Sequence, residues 1–334
     1  MAIRANRLAA LILLSLSLSL NACRSASNEE TINIVASVPI PTGSAPSESA
    51  APQEPGSRGY LWRVSGGANE GFLVGTIHVA RPSMYPLDPD LEQAAADADY
   101  IGLELDLTKV DQLKLAAQVA EKALLTDGTT LKDHVSEEDY VKFKDAMKKS
   151  LGIVGASLFD KYEPWYAAMT LESLPAMKYQ QTDGIDIYLA KKAHDTGKTI
   201  IELESAEAQL SIFDKFPDEL QKLYFHQTVQ GADQAAAGYD QLLDMWTKGD
   251  PNVLERMHEE YLEEGKEAMG DLFEEYDRAL LAGRNEEMVR QIDDFLQNGA
   301  AGTYLFAVGS LHMVGEHGLV EALESKGYKL EFIE

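Results

Sequence analysis

The chain has 334 residues, with 29 Lys and Arg against 55 Asp and Glu, and a formal net charge of −26 at pH 7. So acidic a surface repels phosphate backbones, and no Lys/Arg-rich run offsets it, which argues against nucleic-acid binding. The single cysteine excludes an intramolecular disulfide framework and a zinc site built on cysteines. A hydrophobic fraction of 45% is typical of a globular protein with a buried core.

Residues 1–22 predict a lipoprotein signal peptide. Two arginines precede an apolar stretch, Leu8–Leu20, that is too short to span a membrane comfortably. The letters LNAC that end at Cys23 resemble a bacterial lipobox, in which the cysteine becomes the lipidated first residue of the mature protein. We therefore expect an extracytoplasmic protein that Cys23 anchors to a bacterial membrane through fatty acids such as palmitate. The alternative is a plain secretory signal with an incidental cysteine.

Residues 23–59 are predicted to be a disordered tether. They are rich in Pro, Ser, Ala and Glu and contain no aromatic residue. Such a composition cannot bury enough apolar surface to offset the entropy of an ordered chain. The folded domain is therefore expected to span residues 60–334.

The domain is predicted to open with a hairpin of two strands, Tyr60–Val64 and Gly71–Gly75. Asp88 and Pro89 then supply the N-cap and first position of a helix that runs to Asp97. The apolar stretch Tyr100–Leu105 predicts the next strand. Strand, helix and strand in this order indicate a βαβ unit, and hence a parallel pair of strands.

The rest of the domain is predicted to be helical in its middle and to return to the sheet at its end. The expected order is a helical region from 111 to about 174, helix Asp183–Asp195, strand Thr199–Leu203, a second helical region over 205–299, strand Tyr304–Val308, helix Gly315–Lys326 and strand Tyr328–Ile333. This order predicts an α/β fold (α+β-like). Its small sheet is built from N- and C-terminal βαβ-type pieces, with a large helical insertion over about 111–300.

The sharpest motif is a repeated corner, Gly75-Thr76-Ile77-His78 and Gly309-Ser310-Leu311-His312. Each copy follows a buried-strand run and has the template glycine, hydroxyl residue, apolar residue, histidine. Glycine at the end of a strand allows a sharp turn and the close approach of another group. We therefore expect two histidines held on short loops at the edge of the sheet; the alternative is a pair of structural histidines.

Carboxylates also collect at predicted strand ends. Glu104 and Asp106 end one strand, and Glu202 and Glu204 end another, with each pair on one face by period-two alternation. A carboxylate buried at such a place needs a partner or a metal. For Asp106 and Glu202, exposure to solvent at the edge of the sheet is an equally good interpretation. Two histidines with carboxylates and no thiols suit Mn²⁺, Co²⁺, Zn²⁺ or Fe²⁺.

These motifs together resemble the TraB/GumN (TraB/PrgY/Tiki) family, over nearly the whole chain after the tether. The segments that carry the resemblance are the two Gly-x-x-His corners, GLELD at 102–106, DGID at 183–186, GKTIIELE at 197–204, RN at 284–285 and the residues 313–315 that follow His312. It implies a fold similar to erythromycin esterase and the ChaN haem-binding proteins. It also implies a membrane-attached metalloprotease or a protein that shuts down peptide pheromone signalling, because relatives of both kinds are known.

Carried over by residue, the resemblance implies that His78, Glu104 and His312 bind a divalent metal, with Mn²⁺ or Co²⁺ favoured over Zn²⁺ or Fe²⁺. Glu204 is implied as an additional carboxylate, and Arg284 with Asn285 would orient substrate or carboxylates. In the mechanism that we expect, Glu204, or whichever strand-end carboxylate is left free, acts as general base, and Arg284 stabilises the oxyanion or grips a substrate carboxylate. The family is variable at the slot of His317, so we expect at most an indirect role there.

The function predicted is a membrane-tethered, metal-dependent hydrolase that acts on a peptide or protein substrate. Two alternatives stay open. One is a lipoprotein that sequesters a peptide or small hydrophobic ligand without turnover. The other is an esterase-like hydrolase in which histidine and glutamate activate water without metal.

Overall fold

The computed structural model describes residues 56–179 and 181–334. The predicted signal peptide, Cys23 and all but the last residues of the tether lie outside the described residues. Within the described ranges six strands form one sheet: β1 Tyr60–Ser65, β2 Glu70–Thr76, β3 Tyr100–Leu103, β4 Thr199–Glu202, β5 Thr303–Gly309 and β6 Lys329–Phe332. Every strand predicted from the sequence is present, and the fold is of the α/β class.

The helices fill the intervals between the strands, and most lie in the long insertion. In chain order they are α1 Pro89–Asp97, α2 Gln112–Lys122, α3 Leu131–His134, α4 Glu137–Leu158, α5 Pro164–Ser173, α6 Ile185–Asp195, α7 Ala206–Asp214, α8 Asp218–Gly231, α9 Ala235–Lys248, α10 Pro251–Met269, α11 Leu272–Asp277, α12 Gly283–Asn298 and α13 Leu319–Ser325. A π-helical turn, Arg278–Ala282, joins α11 to α12. Short 3₁₀ segments cover Pro82–Met84, Phe159–Lys161, Leu174–Tyr179 and Ser310–His312.

The helix starts follow from local chemistry. Asp88 caps α1 by accepting a hydrogen bond from the backbone N–H of Asp90, and Asp250 caps α10 in the same way. Each cap is followed by a proline at the first helical position, where the missing N–H costs nothing. The predicted last helix is shorter than expected, because residues 315–318 form a turn before α13 begins at Leu319.

The order of strands in the sheet is β4-β3-β5-β2-β1-β6. β5 lies between β2 and β3 and is parallel to both, whereas β1 is antiparallel to β2. The predicted βαβ unit is therefore parallel as expected, but its two strands are not neighbours. β5 separates them, and as an inner strand it is deeply buried: the five residues from Tyr304 to Val308 are at most 1% exposed.

The helices cover the sheet and pack on each other. Helix α1 contacts β5, helix α6 contacts β3 and β4, and α8 packs between α4 and α5 in the insertion. Trp165 and Trp246 are fully buried in the resulting core. Among the described residues, no helix combines the length and the apolar character that crossing a membrane requires.

Candidate active site

The two Gly-x-x-His corners lie side by side. β2 and β5 are parallel, and their register pairs Gly75 with Val308 and Thr76 with Gly309, so both strands end at the same edge. The Ser310 hydroxyl donates a hydrogen bond of 2.8 Å to the Thr76 carbonyl and ties one corner to the other. A Cβ on Gly75 would lie 3.0 Å from the Ser310 Oγ, so this approach depends on glycine.

A chain of hydrogen bonds fixes the tautomer of His312, which is fully buried. The Asn285 Nδ2 donates to the backbone carbonyl of His317 at 2.8 Å, so the Asn285 Oδ1 faces His312 Nδ1 at 2.5 Å. The Oδ1 only accepts, so Nδ1 must carry the proton and Nε2 must present a lone pair. Among the described residues that Nε2 has no hydrogen-bond partner, and the Glu104 Oε1 lies 4.0 Å away.

The electrostatic surroundings keep His312 neutral. Burial, the Arg284 guanidinium and the neighbouring His78 hold the pKa of His312 well below its ordinary value. A neutral imidazole whose lone pair accepts no hydrogen bond can accept a proton or bind a metal ion.

His78 has the opposite surroundings. Burial alone would lower its pKa, but the Asp186 carboxylate, whose Oδ2 is 3.3 Å from the His78 Nδ1, and then Glu104 raise the pKa of His78 above the ordinary value. Asp186 is in the first turn of α6, which is held against the corner because the Ile185 N–H donates to the Ile77 carbonyl at 2.9 Å. A Cβ on Gly184 would lie 2.3 Å from the His78 carbonyl oxygen, so only glycine fits there.

Glu104 is buried between the corners and the helical insertion. Its Oε1 accepts the backbone N–H of Gly309 at 2.7 Å, and its Oε2 accepts the Arg284 guanidinium at 2.7 Å and the Gln209 amide at 3.2 Å. Burial and the adjacent Glu204 raise the pKa of Glu104, although Arg284 opposes this shift. The carboxylate is thus fixed in place while its affinity for a proton is increased.

Glu204 is the second carboxylate partner of Arg284. It lies beside Glu104 because the backbone N–H of Glu204 donates to the Glu104 carbonyl at 2.9 Å, which extends the β3–β4 ladder. Arg284 donates to both oxygens of Glu204 at 2.7 and 2.6 Å, and Gln209 donates to Oε2 at 2.7 Å. This fork-to-fork pairing makes Glu204 a counter-ion, which is a correction to its predicted role as a free general base.

Arg284 forms hydrogen bonds with several acceptors around it. Besides the two glutamates, its Nη1 donates to the Leu280 carbonyl at 3.0 Å, in the π-helical turn that precedes α12. Arg284 thus holds Glu104 and Glu204 together, whereas its role toward an oxyanion or a substrate carboxylate stays a prediction. Asn285 orients His312 rather than a carboxylate, and its predicted role toward substrate stays a prediction.

Asp106 and Glu202 are not part of this cluster. Asp106 is buried, and its Oδ2 lies 2.8 Å from the Nε2 of His194 on α6. The exposed Glu202 accepts the backbone N–H of Asp106 at 3.0 Å. The expectation that Glu104 and Asp106 share a face is wrong, because β3 ends at Leu103 and strand alternation does not continue past it.

The residues present fit a divalent cation in part. Throughout the described ranges, no group of three or more His, Cys, Asp or Glu side chains is arranged to hold a metal ion. His312 Nε2 and Glu104 Oε1, however, are 4.0 Å apart, and one bridging atom can contact both. A neutral imidazole and a carboxylate are suitable ligands for Mn²⁺, Co²⁺, Zn²⁺ or Fe²⁺. Two of the three predicted ligands therefore face each other. The third, His78, contacts Asp186 through its Nδ1, and its part in a metal site stays a prediction.

Sequence reasoning missed two residues of the cluster. Gln209, which is 1% exposed, bridges both glutamates, but a glutamine on a helix carries no signal of its own. Asp186 falls in the segment DGID that the family resemblance quotes, yet it had no assigned role. Its position in the first turn of α6, four residues before the buried Ala190, gave only a hint of an inward side chain.

A cavity of about 570 Å³ lies behind Asn285. Its wall includes His258, Asp277 and His317, and an apolar floor is formed by residues such as Phe273 and Leu281. Burial lowers the pKa of His258 and raises the pKa of Asp277. Because Asn285 contacts both this cavity and His312, the cavity borders the candidate site.

Comparison with known proteins places the chain in context. Residues 60–331 match the model of the TraB/PrgY/gumN family. The uncharacterised protein YbaP of Escherichia coli K12 is 28% identical over 255 residues, which cover 75% of this chain and 86% of YbaP. The YbaP of Shigella flexneri is 27% identical over 77% of this chain and 89% of its own length.

More distant relatives carry the name metalloprotease. A Metalloprotease TIKI homolog of Nematostella vectensis is 23% identical over 82% of this chain and 67% of its own length. Metalloprotease TIKI2 of Danio rerio is 24% identical, and the match covers 78% of this chain but only 58% of TIKI2. No solved structure matches the chain, so the likeness to erythromycin esterase and ChaN stays a prediction.

Proposed function

Because the chain belongs to the TraB/PrgY/gumN family, we propose that it is a metal-assisted hydrolase that cleaves peptide bonds. The distant relatives named metalloproteases support the reaction class. The observation that carries the proposal is the His312 Nε2 lone pair, fixed by Asn285 and directed toward the Glu104 carboxylate.

His312 and Glu104 are the residues that would hold the divalent ion. A cation bound there would polarise a substrate carbonyl and lower the pKa of a bound water. Asn285 supplies the outer contact that keeps the His312 ring in its ligating tautomer, a role whose loss commonly weakens metal sites.

The remaining groups handle protons and position the carboxylates. His78, with its pKa raised beside Asp186, retains a proton and can donate it to the leaving amine. In the metal-independent alternative, where Glu104 holds no ion, its pKa, raised by burial and Glu204, would let it take up a proton released by the attacking water. Arg284 and Gln209 keep Glu104 in place throughout.

We further infer that the protein acts outside the cytoplasm, anchored to a membrane by a lipid on Cys23. The support is the apolar stretch that ends in LNAC, with the one cysteine of the chain in the lipidated position. Labelling cells with a palmitate analogue tests this directly. We expect labelled wild-type protein in the membrane fraction and unlabelled protein for Cys23→Ala; labelling of the variant would contradict lipidation.

Hydrolysis of a peptide panel tests the activity. The purified protein is treated with a chelator and then supplied with Mn²⁺ or Co²⁺, and cleavage is followed by mass spectrometry. We expect activity to be lost with chelator and restored by metal, and to require His312. Activity that resists the chelator but still needs His78 and His312 would replace the metal-assisted reaction by direct activation of water. Binding of peptides without cleavage under all conditions would contradict a hydrolase.

A further inference from the structure

One part of the insertion, the tip of helix α4, differs from the rest of the described surface. Six consecutive residues, 148–153, are all exposed. A helix that lies along a protein alternates buried and exposed positions with its 3.6-residue turn, so a longer exposed run must project outward. Gly152, with a φ of 75°, breaks the helix within this run. We define the α4 tip as residues 148–158.

The α4 tip is unusually apolar for a projecting element. Five large apolar side chains are exposed among the described residues, and three of them are at the tip: Leu151, Ile153 and Leu158, with Ile153 68% exposed. A fourth, Val141, lies earlier on the same helix, and only Met177 lies elsewhere. Single exposed apolar residues are ordinary, but their concentration at one convex point indicates a contact surface.

The same segment is also locally cationic. Residues 146–159 contain Lys148 and Lys149 and no acidic residue, in a chain with 55 acidic residues among 334. Lys149 approaches Asp233 at 3.5 Å, but the two side chains are 72% and 88% exposed, so water and salt screen this pair. The lysines therefore remain available to an external anion.

We propose that the α4 tip docks on the surface of an anionic phospholipid bilayer. Leu151, Ile153 and Leu158 would enter the boundary between headgroups and acyl chains, and Lys148 and Lys149 would lie against lipid phosphates. A chain with a net charge of −26 is repelled by such a membrane over most of its surface, so only a patch of this kind can approach it. The same charge disfavours a second copy of the chain as the occupant.

The proposal is tested with the full chain carrying Cys23→Ala, so that no lipid anchor contributes. Amide hydrogen exchange is followed during titration with vesicles of phosphatidylcholine, with or without phosphatidylglycerol. We expect exchange across residues 148–158 to slow only on vesicles that contain phosphatidylglycerol. Lys148→Glu with Lys149→Glu should raise the vesicle concentration needed at least about tenfold, since each lysine near such a surface contributes roughly fivefold. Ile153→Asp should have an effect of similar size, about tenfold.

Two surface changes away from the tip serve as matched controls. Lys215→Glu removes one exposed lysine, and Met177→Asp removes the exposed apolar residue outside α4; both should leave the titration unchanged. Equal slowing on neutral vesicles, or no slowing on either kind, would overturn the proposal. Slowing that depends on protein concentration without vesicles would assign the tip to self-association instead. None of these outcomes bears on peptide hydrolysis or on lipidation.

Discussion

The two Gly-x-x-His corners have one sequence template and opposite electrostatic surroundings. His78 faces a carboxylate, Asp186, and its pKa is raised. His312 faces a neutral amide, Asn285, and its pKa is lowered. The template sets the backbone turn, whereas residues from α6 and α12 set the charge. A repeated motif therefore does not imply a repeated role: the lowered pKa of His312 suits a metal ligand or a proton acceptor, and the raised pKa of His78 suits a proton donor.

Arg284 is the cation that both corners share, and its loss should have the largest effect on stability. Arg284→Met leaves Glu104 and Glu204 buried without a counter-ion, which we expect to cost roughly 3–5 kcal/mol of the free energy of unfolding. Urea denaturation measures the change. Arg290→Met, which breaks an exposed pair with Glu287, should stay within about 0.5 kcal/mol. Equal losses for the two variants would show that the buried cluster does not depend on Arg284.

Substitution of the two corner histidines, His78 and His312, should have different effects on metal binding. We expect His312→Ala and His78→Ala each to lower peptide hydrolysis by about 10²–10⁴-fold. Calorimetric titration with Mn²⁺ should show weakened binding only for His312→Ala, because the raised pKa of His78 favours a protonated ring, and a protonated imidazole cannot bind a metal ion. His134→Ala, on α3 beside Thr129, serves as the control and should change neither quantity. If His78→Ala also abolished Mn²⁺ binding, His78 would return to the set of metal ligands.

Asn285→Ala should have a smaller effect, because it removes an orienting contact and leaves His312 in place. We expect a loss of about 10–100-fold in metal affinity or hydrolysis. Asn298→Ala, at the exposed end of the same helix, is the matched control. Asn285→Asp is informative as well, since a carboxylate keeps an acceptor toward Nδ1 and should retain more activity than alanine. Full activity in Asn285→Ala would show that the ring is held by packing alone.

Asp186→Asn should have the most local effect, a shift in the titration of His78. The raised pKa means that protonated His78 adds stability that is fully present below about pH 6.5 and is lost as the pH rises through the folded pKa. The variant should therefore lose more stability at low pH than at high pH. NMR titration of the His78 ring should show a midpoint that falls in Asp186→Asn. An unchanged midpoint would mean that Asp186 does not set the charge of this corner.

Much of the fold was predictable from local pattern. The strand runs, the proline-led caps at Asp88 and Asp250, and the helical middle depend on side-chain periodicity and on backbone chemistry that short segments carry. The pairing of β5 between β2 and β3 was not predictable in this way, because it depends on which strands bury best together.

The site was predictable as a set of residues more than as a set of roles. His78, Glu104, Glu204, Arg284, Asn285 and His312 lie in one buried cluster or border it. Their roles depend on pairings across elements, and those pairings are not encoded in spacing. Arg284 reached two carboxylates at once, and the base predicted at Glu204 became its counter-ion for that reason.

The central position of β5 has a consequence for when the site can exist. This strand is contributed by residues 303–309, and it carries one of the two corners and the amide that holds Glu104. A growing polypeptide that lacks this segment has neither the middle strand of its sheet nor the second Gly-x-x-His corner. The candidate site can therefore assemble only after residues 303–309 have been synthesised and have paired with β2 and β3, which precede them by about 200 residues or more.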